Sequence, residues 1–165
     1  MKFTLKDISA NAIIAALYVS LTLITYPISF VGIQFRLSEM LVLLCFFNKK
    51  YTLGCTVGCL IANFFSTIGI VDAAFGTAAT LISCLIICFC KHLAIACIFP
   101  VVINAFVVGF ELYKFMGEPF WFSTFTVAMG ELVVMIVGWL FFFLMRKRNK
   151  FFELLLANQN VDFKW

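Results

Sequence analysis

The sequence is dominated by long apolar runs, at 8–26, 38–47, 52–68, 73–90, 93–113 and 120–145, set apart by short polar stretches. A bilayer core is crossed by about 20 consecutive apolar residues in a helix. Hydrophobic residues make up 64% of the chain and charged residues 12%, whereas a soluble domain is about half apolar and a quarter charged. The runs are continuous rather than alternating, which argues against a β-barrel. The expected fold is therefore an all-α integral membrane protein: one six-transmembrane-helix bundle over residues 1–150, then a tail over residues 151–165. The second run is short for a span, and Pro100 should kink the fifth, because proline removes a backbone hydrogen bond. The first run lacks a small-residue cleavage site, so it reads as a span and not as a cleaved signal.

The basic residues orient the bundle. With the N-terminus inside and the spans alternating, Lys2, Lys6, Lys49, Lys50, Lys91, Arg146, Lys147, Arg148, Lys150 and Lys164 fall on the cytoplasmic side. Only Arg36 and Lys114 fall outside. This is the positive-inside pattern, and it places the N and C termini and the tail in the cytoplasm.

With that orientation, polar side chains gather in the outer halves of the helices. These are Asn63, Ser66 and Thr67, then Thr77 and Thr80, then Asn104 and Glu111, then Ser123, Thr124 and Thr126, with Glu131 near mid-membrane. Gln34, Arg36, Ser38, Glu39 and Asp72 sit around the outer rim. The inner halves of the last two spans carry no strongly polar group. This asymmetry implies a polar pocket open to the outside above an apolar floor; a pore would need polar lining throughout. Glu131 is the sharpest candidate, because a carboxylate at the bilayer centre costs about 2.5–3.5 kcal/mol unless it faces a cavity or a partner. Thr124, Ala128, Met135 and Gly138 share its helix face, and its alternative is pairing with Arg36 or protonation. Asn104 and Glu111 lie two turns apart on one face; the alternatives are an interhelical hydrogen bond for Asn104 and water contact for Glu111. Asn63 has the same alternative as Asn104. Asp72 is a ligand candidate or an N-cap, and Glu39 sits in a first helical turn, where the helix dipole favours an anion. The candidate ligand-binding residues are thus Arg36, Glu39, Asn63, Asp72, Asn104 and Glu131.

Two small-residue patterns, Ala12-xxx-Ala16-xxx-Ser20 and Gly54-xxx-Gly58-xxx-Ala62, permit close helix approach, either within the chain or against another membrane protein. The seven cysteines lie in apolar runs without a CxxC pair and read as small packing residues, not as a metal set. No GxxxxGK[ST] phosphate loop, HExxH or GxSxG occurs, and the single histidine, His92, leaves little room for histidine-based catalysis. The chain is not expected to be an enzyme, to hold a cofactor or to bind nucleic acid.

Three segments resemble the QueT family: Gln34-Phe35-Arg36-Leu37-Ser38-Glu39, the stretch 72–80 (DAAFGTAAT), and Gly130-Glu131-Leu132. The resemblance extends to chain size and to the six-helix layout. It implies a substrate-binding S component of an energy-coupling factor (ECF) transporter. Such a subunit takes a solute from outside and docks on a membrane-embedded T component driven by two separate ATPases, with a large tilt as the proposed transport step. The implied docking face is on the first helix, at Ala12 and Ala16. The implied solute is a queuosine precursor, 7-aminomethyl-7-deazaguanine, whose cationic arm and N–H-rich edge suit an acidic pocket. An S component for another vitamin, a scaffold or chaperone without a small ligand, and a proton-coupled carrier using Glu131 are the competing readings.

Overall fold

The structure, a computed structural model, describes residues 3–29 and 35–156. Lys2, Gln34, Lys164 and residues 157–165 of the expected tail lie outside the described residues. Helix α1 spans Leu5–Ile24 and is followed by a single turn, Tyr26–Ser29. Helix α2 spans Leu37–Phe47, with its first seven residues wound as a tighter 3₁₀ helix. Helices α3 (Thr52–Asn63) and α4 (Ile70–Ile87) follow. Helix α5 covers Leu93–Met116, α6 covers Phe120–Met145 and α7 covers Asn149–Leu156. Among the described residues no strand element occurs.

Four of these helices, α1, α4, α5 and α6, are long and apolar enough to cross a membrane. The other two expected spans are shorter. At about 1.5 Å per residue, α3 is about 18 Å long, against about 30 Å of hydrocarbon. The 52–68 run ends its helix at Asn63, and the chain then turns through hydrogen bonds from Phe65 N–H to Ala62, Ser66 N–H to Asn63 and Gly69 N–H to Ser66. Gly69 completes the reversal at φ 54°, a left-handed value that costs a residue without Cβ little. In α5 the helix breaks at Cys97. Pro100, four residues beyond Ala96, has no N–H for the Ala96 carbonyl and its ring crowds it, so the expected irregularity is present one turn before the proline.

The helices turn their polar groups inward and present an apolar surface outward. Helix α1 buries Asp7, Asn11, Ile14, Tyr18 and Thr22 and exposes Ile8, Ile13, Leu17, Leu23 and Ile24. An exterior of that kind is stable against lipid and not against water. Trp121 is 74% exposed at the start of α6 and meets Phe120 edge-on, the position of an interfacial aromatic anchor.

Helices α1, α3, α4, α5 and α6 pack as neighbours in that order, and α2 bridges α1, α4 and α6. Glycines set the close approaches. A Cβ on Gly58 would stand 2.7 Å from Tyr18 Cβ, and one on Gly54 2.7 Å from the Asn11 carbonyl oxygen; the Gly54/Gly58 pattern therefore serves contact within the chain. At the same end the Asn11 side chain accepts from Gly54 N–H at 2.6 Å, and Lys50 Nζ meets Asp7 Oδ2 at 2.6 Å. Gly138 lets α6 approach Met40 and Leu43 of α2. Val42, Leu43, Phe47, Ile87, Leu93, Val134, Met135 and Phe142 form the apolar core.

Candidate functional site

The short helix α2 puts charge at the centre of the bundle. Its Glu39 is 1% exposed, and around it lie Arg36 at 6%, Asp72 at 3%, Glu111 at 1% and Glu131 at 3%. Four carboxylates thus share a buried region with a single guanidinium. Arg36 meets Asp72 Oδ2 at 3.4 Å and Glu39 Oε1 at 3.9 Å. Glu39 Oε1 also accepts from the Tyr18 hydroxyl and, at 3.1 Å, from Thr80 Oγ1. The protein holds Glu39 by one oxygen; the other, Oε2, is buried without a hydrogen-bond partner.

The same half-satisfaction recurs around the cluster. Asp72 Oδ1, Asn63 Oδ1, Glu131 Oε1 and both Glu111 carboxylate oxygens are buried and accept no hydrogen bond. Orphaned polar atoms at this density are costly, and each carboxylate or amide oxygen among them has lone pairs free to accept a hydrogen bond. Arg36, Glu39, Asn104 and Glu131 line one void together with Gly76, Val108 and Val127. Its volume for the centre of a water molecule is about 10 Å³, enough for about one water. Among the described residues, the space these side chains line is therefore small.

Asn63 and Asp72 stand behind this void rather than on it. Asn63 Nδ2 donates to the Asp72 carbonyl at 3.0 Å and to Cys59 Sγ at 3.3 Å, tying the end of α3 to the start of α4. A Cβ on Gly76 would lie 2.7 Å from both Asn63 Nδ2 and Asp72 Oδ1; only glycine lets the amide and carboxylate come so close. Asp72 does not cap α4. Gly69 occupies the cap, and Asp72, two residues into the helix, turns to Arg36, so the N-cap alternative is corrected. The water-facing alternative for Glu111 is corrected too, since a residue 1% exposed meets no bulk water.

Three contributors were missed in the sequence. Tyr18 and Thr22 reach the centre from α1, where Thr22 Oγ1 pairs with Ser38 Oγ at 2.6 Å. Their signal was the α1 stripe Asp7, Asn11, Ile14, Tyr18, Thr22, which is helical in period and mixes polar with apolar residues. Gly76 sat inside the quoted 72–80 stretch without a role. Ala12 and Ala16 are both exposed on α1. Glu118 accepts from Ser123 Oγ at 2.9 Å at the start of α6 and is not part of the void.

Apolar helices long enough to span, an apolar exterior and a charge cluster sealed among them define a multi-pass membrane protein built around a buried polar centre. Within that class the chain belongs to the QueT transporter family, whose sequence model matches residues 8–147. It is 39% identical over 149 residues to the queuosine precursor transporter QueT of Lactococcus lactis subsp. cremoris (strain MG1363), an alignment covering 80% of this chain and 87% of that protein. No solved structure matches the chain.

Proposed function

We propose that this chain is the substrate-binding S component of an ECF-type importer for a queuosine precursor, 7-aminomethyl-7-deazaguanine. Residues 1–150 are its single six-span domain, and both termini and the 151–165 tail lie in the cytoplasm. The observation that carries the reading is the excess of buried carboxylates over guanidinium in and around the void: Glu39 and Glu131 line it beside Arg36, and Asp72 and Glu111 are buried nearby, all four with unpartnered oxygens. A solute with an ammonium arm and a row of N–H donors supplies both things this centre lacks: positive charge and hydrogen-bond donors. Arg36 and Asn104 supply donors for its carbonyl. Asn63 and Asp72 hold Arg36 and the α3–α4 corner in place. The solute is larger than one water, so binding widens the void. Helices α2, α5 and α6, which carry Glu39, Asn104 and Glu131, must separate for it to enter.

Similarity to the queuosine precursor transporter of Lactococcus lactis supports a queuosine precursor as the solute. Transport needs an energy source, which this subunit takes from two separate ATPases through a T component in the plasma membrane. The exposed Ala12 and Ala16 form the surface on which that T component packs, small side chains allowing close backbone approach. The reading is tested by titrating the purified chain in detergent with 7-aminomethyl-7-deazaguanine by calorimetry, with guanine and thiamine as controls. Saturable one-to-one binding of the deazaguanine alone, weakened by Glu131→Gln, is expected. Thiamine binding in its place would reassign the solute to another cationic vitamin. Folded protein that binds none of them would favour a scaffold role.

A further inference from the structure

The cysteines, scattered in the sequence, are not scattered in the fold. Cys45 of α2, Cys55 of α3 and Cys84 of α4 bring their sulfurs within 4.8 Å of one another, and each is 0% exposed. All three are free thiols. Their convergence is a feature that no pair spacing in the sequence reveals. We propose that Cys45, Cys55 and Cys84 form a three-thiol site for a trivalent, thiophilic metalloid, taken up as neutral arsenous acid.

Charge selects the valence. The cluster lies in the apolar core with Val42, Leu44, Ile87, Leu93 and Ala96, where an uncompensated charge is expensive. Three thiolates around a monovalent ion leave two negative charges, and around a divalent ion one. A trivalent centre leaves none. Arsenous acid is uncharged at neutral pH and its exchange stays neutral throughout. Three As–O bonds break, three As–S bonds form, and the three thiol protons leave on the hydroxyls as three waters. No electron is transferred, and the arsenic lone pair fills the fourth direction, so no further ligand is required.

The spacing suits this chemistry. Sulfurs bound to a soft ion at about 2.3 Å stand about 4 Å apart in a planar triad and closer in a pyramid. Small side-chain rotations close the gap. Access runs past Cys88, one turn beyond Cys84 on the same face of the chain and only half-buried. Its sulfur lies 3.6 Å from the Cys45 carbonyl oxygen and 3.6 Å from Thr52 Oγ1, which places a first thiol for exchange at the edge of the site. The adduct would bridge the three helices that carry Glu39, Asn63 and Asp72.

The test uses the reduced full chain in detergent with arsenite as the probe. Intact-mass measurement should show one arsenic atom replacing three protons, and X-ray absorption at the arsenic edge should show three sulfur neighbours. Cys45→Ser, Cys55→Ser and Cys84→Ser should each lose the three-sulfur adduct, while Cys90→Ser and Cys97→Ser keep it. Absorption data on the unsubstituted protein decide the matter even if a variant fails to fold. A mixed sulfur–oxygen shell, no adduct on folded protein, or an undiminished adduct in a folded Cys45→Ser variant would overturn the proposal.

Discussion

Glu39 uses its two carboxylate oxygens differently. One is held by Tyr18, Thr80 and Arg36; the other has no partner. Glu39→Gln keeps the shape and removes the charge that a cationic solute would meet. Loss of one charged partner in a buried pair costs about 2–5 kcal/mol. Calorimetry should therefore show weakening of at least about 30-fold; unchanged affinity would place the ammonium elsewhere. Arg36 has the opposite role. Arg36→Met leaves Asp72 and Glu39 without their guanidinium, and breaking a buried pair from one side costs about 3–5 kcal/mol. The expected result is a clear fall in melting temperature in detergent, only partly recovered by Arg36→Lys. An unchanged melting temperature would mean that the carboxylates carry no charge in the folded protein. The charged members of this centre were legible in the sequence, since a carboxylate in an apolar run has few reasons to be there. Tyr18 and Gly76 were not, because tyrosine and glycine are ordinary in membrane helices and acquire a role only through what lies opposite.

Helix contacts depend on where glycine removes a Cβ. Between α5 and α6, a Cβ on Gly109 would stand 2.5 Å from Thr124 Oγ1 and 2.9 Å from Thr124 Cα. Gly109→Ala should thus force the helices apart, at about 1–3 kcal/mol for overpacking. The backbone contact makes a specific forecast: Thr124→Ala removes the hydroxyl but not the Cα, so the double variant should stay destabilised in thermal unfolding. Full recovery would show that only the hydroxyl was in the way. The elements themselves were read well where apolar length is decisive, as in α1, α4, α5 and α6. The 52–68 run was read too long, because hydrophobicity continues through Phe64 and Phe65 while hydrogen bonding turns away at Asn63. Helix α2 wound as 3₁₀ was equally invisible, since the tighter winding leaves no mark in an apolar run.

At the scale of the molecule, α1, α4, α5 and α6 are long enough to cross a membrane and α2 and α3 are shorter. A six-span chain with both ends inside makes a direct forecast. Alkaline phosphatase inserted after Gly117 should be active, and fusions after Lys50 or at the C-terminus should be inactive; a C-terminal fluorescent protein should glow. An active C-terminal phosphatase would overturn the even number of crossings. Nonhelical backbone such as residues 64–69 is compatible with membrane depth where protein or a cavity surrounds it.

By itself the sequence determined the solvent, the helical class and the identity of most charged groups at the centre, because hydrophobic length and the rarity of charge act locally along the chain. Tertiary structure alone decided that α2 is the buried bridge. It also decided that Asp72 faces Arg36 rather than its own helix end, and that Cys45, Cys55 and Cys84 converge. The physical reason is that pairing and convergence depend on which helix faces meet, and that depends on glycine-permitted approaches between segments distant in the chain.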